Sequence, residues 1–459
     1  MRRGHQATPC RVGSGHSSRW RRGLLALAWV ACGALGACQH VEQVSETLEN
    51  KLAPRDLSPP PVIVQSEPEL RVRVLKGARE ATVAGPARLV VRAYQGANPV
   101  SLPTPLKITC DARGIVIQDA RGERRAWNFG VDLEILAADA RAGGATLTTS
   151  RSIELNGVSY AGVVAIRPRW QEYPDTFDAV VSMGVESYLP GVVVREMPGE
   201  APRQAQEVQA VAARSYLLQE RERSLRDGRQ FDVELLGAPG EGGTSGALEA
   251  VRATRGMVLT YRGRVLRAYY SSTCGGRAAS AGDVWPSGAG FEFNRVPPLQ
   301  GATRRSACEG SPHYRWEVER RDEELGQRLR AWGRLNNAEI ARLGRVKSVL
   351  PEDLNAARRP GRYRVTDDAA REYTLGAEDF RSACNQSVAT LAPIDDATRV
   401  RSGDVDVELW AGIVRIHGRG LGHGVGLCQQ CARGLALQGL DWRDMAREFF
   451  PGADVAKMY

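Results

Sequence analysis

The sequence predicts an α+β fold: a mostly antiparallel sheet with helices packed on it, plus an N-terminal β-rich portion. Two patterns carry that prediction. From Leu70 to about Trp170, short runs alternate apolar and polar side chains between turns rich in Gly, Pro and Asn, the signature of antiparallel strands. Over residues 200–222 the period changes, and Ala201, Ala205, Val208 and Ala212 recur at three and four, the signature of a helix. No repeat of fixed period is present, and strand-like and helical segments intermix to the end of the chain.

Taken in order, residues 1–22 hold six Arg and no acid, residues 23–37 form an apolar run, and Leu35-Gly36-Ala37-Cys38 closes it. This order of basic, apolar and small residues reads as an export signal. The run falls short of the ~20 apolar residues that a spanning helix needs. Leu-Gly-Ala-Cys also looks like a bacterial lipobox, so cleavage is expected to leave Cys38 carrying lipid. Residues 38–69, with Pro54, Pro59, Pro60 and Pro61, read as a stiff tether. The expected divisions are a signal peptide 1–37, a lipidated tether 38–69, a β-rich region 70–170 and a core 171–459.

Within these, Leu70–Leu75, Arg88–Ala93 and Leu106–Cys110 are expected strands. The helix over 200–222 carries Pro202 in its first turn, where a missing amide costs little. Strands resume at 257–260 and 265–271, residues 320–345 look helical, and 361–377 return to strands. Near the C-terminus Cys428, Cys431, Ala432, Leu435 and Ala436 fit one helix face, and Asp441 with Asp444 starts a last helix with Met445 and Phe449 inward.

The formal charge of +9 comes mostly from the leader: removing its six Arg from 62 basic residues leaves 56 against 53 acidic ones. With no basic cluster interleaved with aromatics, nucleic acid is not an expected partner. Six cysteines follow Cys38, namely Cys110, Cys274, Cys308, Cys384, Cys428 and Cys431, too sparse to be the main support of the fold.

Three segments carry candidate chemistry. Glu186-Ser187-Tyr188-Leu189-Pro190-Gly191-Val192-Val193-Val194-Arg195-Glu196-Met197-Pro198 places Glu196 where an apolar strand is expected to meet a helix. Apolar surroundings disfavour an ionised carboxylate and suit a proton donor, although a Glu in the first turn of a helix is also what the macrodipole favours. Ala268-Tyr269-Tyr270-Ser271-Ser272-Thr273-Cys274-Gly275-Gly276 offers hydroxyls suited to sugars, or else a plain strand end. Gly418-Arg419-Gly420-Leu421-Gly422-His423-Gly424-Val425-Gly426 allows close backbone approach, but no Lys-Ser or Lys-Thr follows it as in a phosphate loop.

Together these segments resemble the stage II sporulation protein D (SpoIID/LytB) family of bacterial cell-wall proteins. Trp285, Cys308–Trp316 and Phe449-Phe450-Pro451-Gly452 extend the resemblance over roughly residues 70–459. It implies a peptidoglycan lytic transglycosylase in which Glu196, the glutamate of Glu-Met-Pro, is the catalytic acid. The acid would protonate the glycosidic oxygen after N-acetylmuramic acid and then take the proton of the sugar's own 6-hydroxyl, closing a 1,6-anhydro ring without a cofactor. Hydrolysis would need a second carboxylate, for which Glu186 and Asp232 are the candidates. By the same carry-over, Tyr188, Arg214, Ser271, Ser272, Gly275, His423 and Gln429 would line or support the groove, with Arg214 and Tyr216 alternatively helix residues that fix the sheet and His423 alternatively only holding the glycine loop.

The resemblance also implies an exported, membrane-anchored protein on peptidoglycan glycan strands, with a cell-wall amidase as partner. The rival reading is a noncatalytic glycan-binding protein that stimulates such an amidase. Two departures favour the rival. Arg195 stands where members usually carry Ser, which opposes an acid role if its side chain meets Glu196, and residues 231–243 replace a Thr, Gln and Tyr-containing stretch. Finally, Cys428-x-x-Cys431 with Cys274 and Cys308 offers four sulfur ligands suited to zinc, with His313 and His423 as substitutes, while export favours a disulfide such as Cys274 with Cys308.

Overall fold

Alternating runs become paired strands in the computed structural model, which describes residues 66–459 apart from 86, 94–98, 129, 140–145, 148–151, 170–172, 174 and 235–244. The leader, Cys38 and residues 38–65 of the tether lie outside the described residues, as do 235–243 of the divergent stretch. One sheet runs in the order Val233–Glu234, Glu69–Ala78, Phe177–Gly184, Val163–Pro168, Leu133–Asp139, Arg88–Ala93, Val100–Pro103, with Thr146–Leu147 paired to Leu133–Asp139. Its pairs are antiparallel except that of Val233–Glu234 with Glu69–Ala78. A six-stranded sheet (Val158–Ala161, Ser152–Leu155, Glu80–Ala84, Leu106–Asp111, Gly114–Gln118, Arg124–Asn128) shares its core. Val72, Ile108, Ile117, Val164 and Phe177 meet there, each fully buried, as period-two patterning requires when one face is covered. The expected division at 170/171 falls between two neighbouring strands of the first sheet, Val163–Pro168 and Phe177–Gly184.

Eight helices are described. The first, α1 (Val185–Glu196), follows directly from the central strand Phe177–Gly184. The second, α2 (Arg203–Arg226), is the expected helix, with Pro202 at its N-cap rather than inside its first turn. Its small-residue face, Ala205, Val208 and Ala212, packs into a second core, while Ala210, Ala213 and Leu217 pack into the core of the sheets. A helix buried on both sides carries small or apolar residues toward both cores, so the three-four spacing in the sequence marks only one of its two buried faces. After α3 (Ser245–Ala253), strand Met257–Tyr261 crosses α2 and pairs with Arg264–Val265 and with Asp454–Lys457 near the C-terminus.

Of the expected strand 265–271 only its ends pair: residues 266–269 are irregular, and Tyr270–Ser271 runs parallel to Leu427–Cys428. The short α4 (Ala281–Val284) leads into an aromatic loop. A third core gathers α5 (Asp322–Leu335), α6 (Ala377–Cys384) and two three-stranded sheets. The helical reading of 320–345 is shortened at both ends: Arg315–Arg321 is a strand paired along its whole length with Ile413–Arg419, and α5 stops at Leu335, ahead of a separate 3-10 turn at Glu339–Arg342. Last come α7 (Gln429–Leu437) and α8 (Trp442–Phe449). Asp441 caps α8 by accepting from the Asp444 amide at 2.8 Å, and Met445 and Phe449 point into the second core, as the sequence predicts. No described helix is long and apolar enough to cross a membrane.

Candidate active site

Glu196 stands at the C-terminal end of α1, not at a helix start. Leu189-Pro190-Gly191 reads locally as a turn, but Tyr188, Leu189, Val192 and Val193 all bury against the sheet core, and that packing carries the helix through Pro190. The chain then turns out at Met197, itself buried in the second core, which holds the Glu196 backbone between two packed layers.

In front of Glu196 lies a cleft of about 300 Å³, walled by Tyr216, Tyr269, Tyr270, Trp285, Phe291 and Phe293 and polar at Arg223, Arg267, Asn294 and His423. Trp285 stacks on Tyr269 with ring centres 4.0 Å apart, and His423 meets Trp285 edge-on at 4.8 Å. Arg267 pairs with Glu220 and lies over the Tyr216 ring, while Arg223 lies over Phe291 at 4.9 Å. The Tyr269 hydroxyl donates to Asn294 Oδ1 at 2.7 Å. Burial, and then the nearby Glu196 charge, hold the Tyr270 phenol well above its usual range, so it stays a neutral hydroxyl beside the carboxyl. Flat apolar rings interspersed with donors suit the apolar face and hydroxyl rim of a sugar.

Gln429, the first residue of α7, donates its side-chain amide to Glu196 Oε2 at 3.0 Å. Arg195 is exposed, and the described contact of the Glu196 carboxyl is the neutral amide, so the cation that threatened an acid role does not engage it. Among the described residues Glu196 is the one carboxylate lining the cleft. Glu186 is instead locked in a buried two-point pair with Arg214 (2.8 and 2.9 Å) and also accepts from the Tyr459 hydroxyl and the Gly256 amide. Burial pushes its carboxyl up, but these partners outweigh that and hold it below the usual range. Asp232 is bound to Arg71 on the far sheet, so neither supplies a second carboxylate.

The other expected groove residues divide into three groups. Gln429 and His423 reach the site. His423 does so while holding the glycine loop: its Nδ1 accepts from the Val425 amide at 3.1 Å, its ring bonds the Tyr270 backbone, and burial, with Arg359 nearby, lowers its pKa to about 3. Ser271, Ser272 and Gly275 support the wall from behind. Ser271 Oγ accepts from the Gly424 amide, the Ser272 carbonyl accepts from Gln430, and Gly275, at φ +64°, packs where an added Cβ would come within 2.7 Å of the Gly420 nitrogen. Tyr188 and Arg214 correct the expectation: both are fully buried in the layer beneath, Tyr188 in the sheet core and Arg214 paired with Glu186 while donating to the Met257 carbonyl.

Sequence reasoning passed over most of the aromatic wall. Trp285, Phe291 and Phe293 fall within nine residues of a chain that is only 6% aromatic, and that local enrichment was the available signal. Nothing local marks Arg223 or Arg267 as cleft residues, since their neighbours come from other elements.

With this geometry in place, comparison with known proteins is informative. Residues 173–261, which contain α1, Glu196 and α2, match the model of the stage II sporulation protein family. Stage II sporulation protein D of Bacillus amyloliquefaciens is 25% identical over 303 residues, 62% of this chain and 78% of the relative. Over these segments the chain is similar to the stage II sporulation protein D family. An amidase enhancer of Bacillus subtilis is 25% identical over 330 residues, covering 66% of this chain but 45% of the relative. An uncharacterized protein of Brachyspira hyodysenteriae, 26% identical over 362 residues, covers 73% of this chain and 88% of itself. Gln429 and His423 lie outside the segment matched by the family model and reach the cleft only through the fold.

Proposed function

We propose that the protein is a peptidoglycan lytic transglycosylase with Glu196 as its general acid and base. The observation that carries this reading is a single carboxylate, held by a neutral amide, in an aromatic-walled cleft. Glu196 protonates the glycosidic oxygen after N-acetylmuramic acid, and the departing bond leaves electron-poor C1. The same group then accepts the proton of the sugar's 6-hydroxyl as its oxygen bonds to C1, giving a 1,6-anhydro end. One carboxylate does both steps, whereas hydrolysis ordinarily uses two. Arg223 in the cleft suits the lactyl carboxylate that strands stripped of stem peptides expose.

Mass spectrometry of glycan fragments, after wild type and Glu196→Gln act on intact and amidase-stripped peptidoglycan, tests the proposal. New 1,6-anhydro ends made by wild type alone support it, and reducing ends or uncut glycan count against it. The name of the Bacillus subtilis relative favours a second reading, a noncatalytic glycan binder that stimulates a wall amidase. That activity would survive Glu196→Gln. A wall substrate requires export, which the leader and Cys38 would provide by lipidation. Release of Cys38→Ser from membranes checks the anchor.

A further inference from the structure

Four sulfurs converge behind the cleft wall. Cys274 follows strand Tyr270–Ser271, Cys308 precedes strand Arg315–Arg321, Cys428 caps α7 and Cys431 sits in its first turn. All four are buried, and their Sγ atoms lie within 4.8 Å of one another. Cys274 is 3.8 Å from Cys308 and 3.7 Å from Cys431. Sulfurs ~2.3 Å from a central zinc stand about 3.8 Å apart along the edges of a tetrahedron, the geometry of a structural four-cysteine site.

The surroundings fit charged sulfur. The backbone amides of Cys274 and Cys431 both donate to Cys428 Sγ, at 3.2 and 3.4 Å, the kind of outer support that thiolate ligands receive. Independently, the Arg304 guanidinium lies in the field of Cys274, Cys428 and Cys431; it donates to the Gly426 carbonyl and lies over the Phe449 ring, but among the described residues no carboxylate pairs with it. A largely buried cation without a counter-charge is costly. A zinc tetrathiolate, with two net negative charges, supplies the missing counter-charge, and four neutral thiols do not.

We infer that Cys274, Cys308, Cys428 and Cys431 together bind one zinc ion. The ion ties the turn at 272–276 and the loop at Cys308 to the start of α7. Cys428 and Cys431 flank Gln429, whose amide holds Glu196, so the zinc is a positioning element behind the wall and takes no part in bond making. The positioning role rests on the reading of Glu196 as the acid, whereas zinc binding does not.

The test is the zinc content of the full chain purified without chelator, read by atomic emission. One zinc per chain is expected, released when a mercurial titrates the thiols and lost in Cys431→Ala. Should that variant not fold, cobalt loading of wild type gives the same answer, through the visible bands of tetrahedral thiolate cobalt. Wild type lacking metal, with a mass lower by the hydrogens of two disulfides, overturns the site, and one iron per chain overturns the choice of metal. Zinc whose removal leaves 1,6-anhydro product formation unchanged overturns the positioning role. Zinc-loaded wild type that never cuts glycan sinks the transglycosylase reading and leaves the metal site standing.

Discussion

Glu186 and Glu196 sit at opposite ends of one helix and have opposite fates. Glu186, in the first turn, is enclosed by Arg214, Tyr459 and Gly256, and its charge is spent on joining α1 to α2 and to the C-terminus. Glu196, in the last turn, opens on a cleft and, among the described residues, accepts from a single neutral donor. A buried carboxylate that accepts four hydrogen bonds, two of them from a guanidinium, is not available to exchange a proton with a substrate. The comparison teaches that partner type, more than residue type or helix position, separates a structural acid from an available one.

Substitution at the two positions should pull activity and stability apart. Glu196→Gln should lower 1,6-anhydro product formation by roughly 10²–10⁴-fold, the usual contribution of a general acid, with little change in Tm. A Tm drop as large as the activity loss would make Glu196 structural too. Glu186→Gln should do the reverse, leaving Arg214 buried and uncompensated at a cost of about 3–5 kcal/mol in denaturant melts. An unaltered melt would show that the pair is dispensable.

Smaller effects sharpen the contrast. Gln429→Ala removes the amide bond to Glu196 and should cost about 1.5–3 kcal/mol of transition-state stabilisation, read as a drop in kcat/KM at unchanged Tm. His423 gives a pH signature. Its pKa is lowered from 6.5 to about 3, so the unfolded chain takes up a proton that the folded chain refuses. Stability from His423 is therefore full above about pH 6.5 and is lost as pH falls toward 3, by about 3 kcal/mol near pH 4.5. Glu186, also held below its usual range, loses stability in the same direction, so the check is that His423→Gln melts with a shallower acid slope than wild type. Smallest of all, Arg195→Ser should change activity and Tm within about 0.5 kcal/mol, because the side chain is exposed.

Features encoded within a few neighbouring residues were legible in the chain. Period-two runs placed Glu69–Ala78, Arg88–Ala93 and Leu106–Asp111, three-four spacing placed α2, and Asp441 with Asp444 placed the start of α8. The motif around Glu196 and the four cysteines were also visible as residues. Their arrangement was not. Local turn chemistry at Pro190-Gly191 argued against a helix that burial of Tyr188, Leu189, Val192 and Val193 enforces, so Glu196 came to lie at the other end of a helix from the one expected. Arg214 looked like a groove residue until a carboxylate 28 positions earlier was found to neutralise it in the core.

The site itself depends on longer reach still. Gln429 meets Glu196 across 233 residues, and the aromatic loop at 285–293 folds back over Tyr269 to make the wall. By itself, the sequence determined the α+β class and the chemical inventory, because periodicity and capping act over one or two turns of chain. Only the tertiary structure decided which carboxylate is free to work, because desolvation and charge pairing depend on partners that the chain order does not bring near one another.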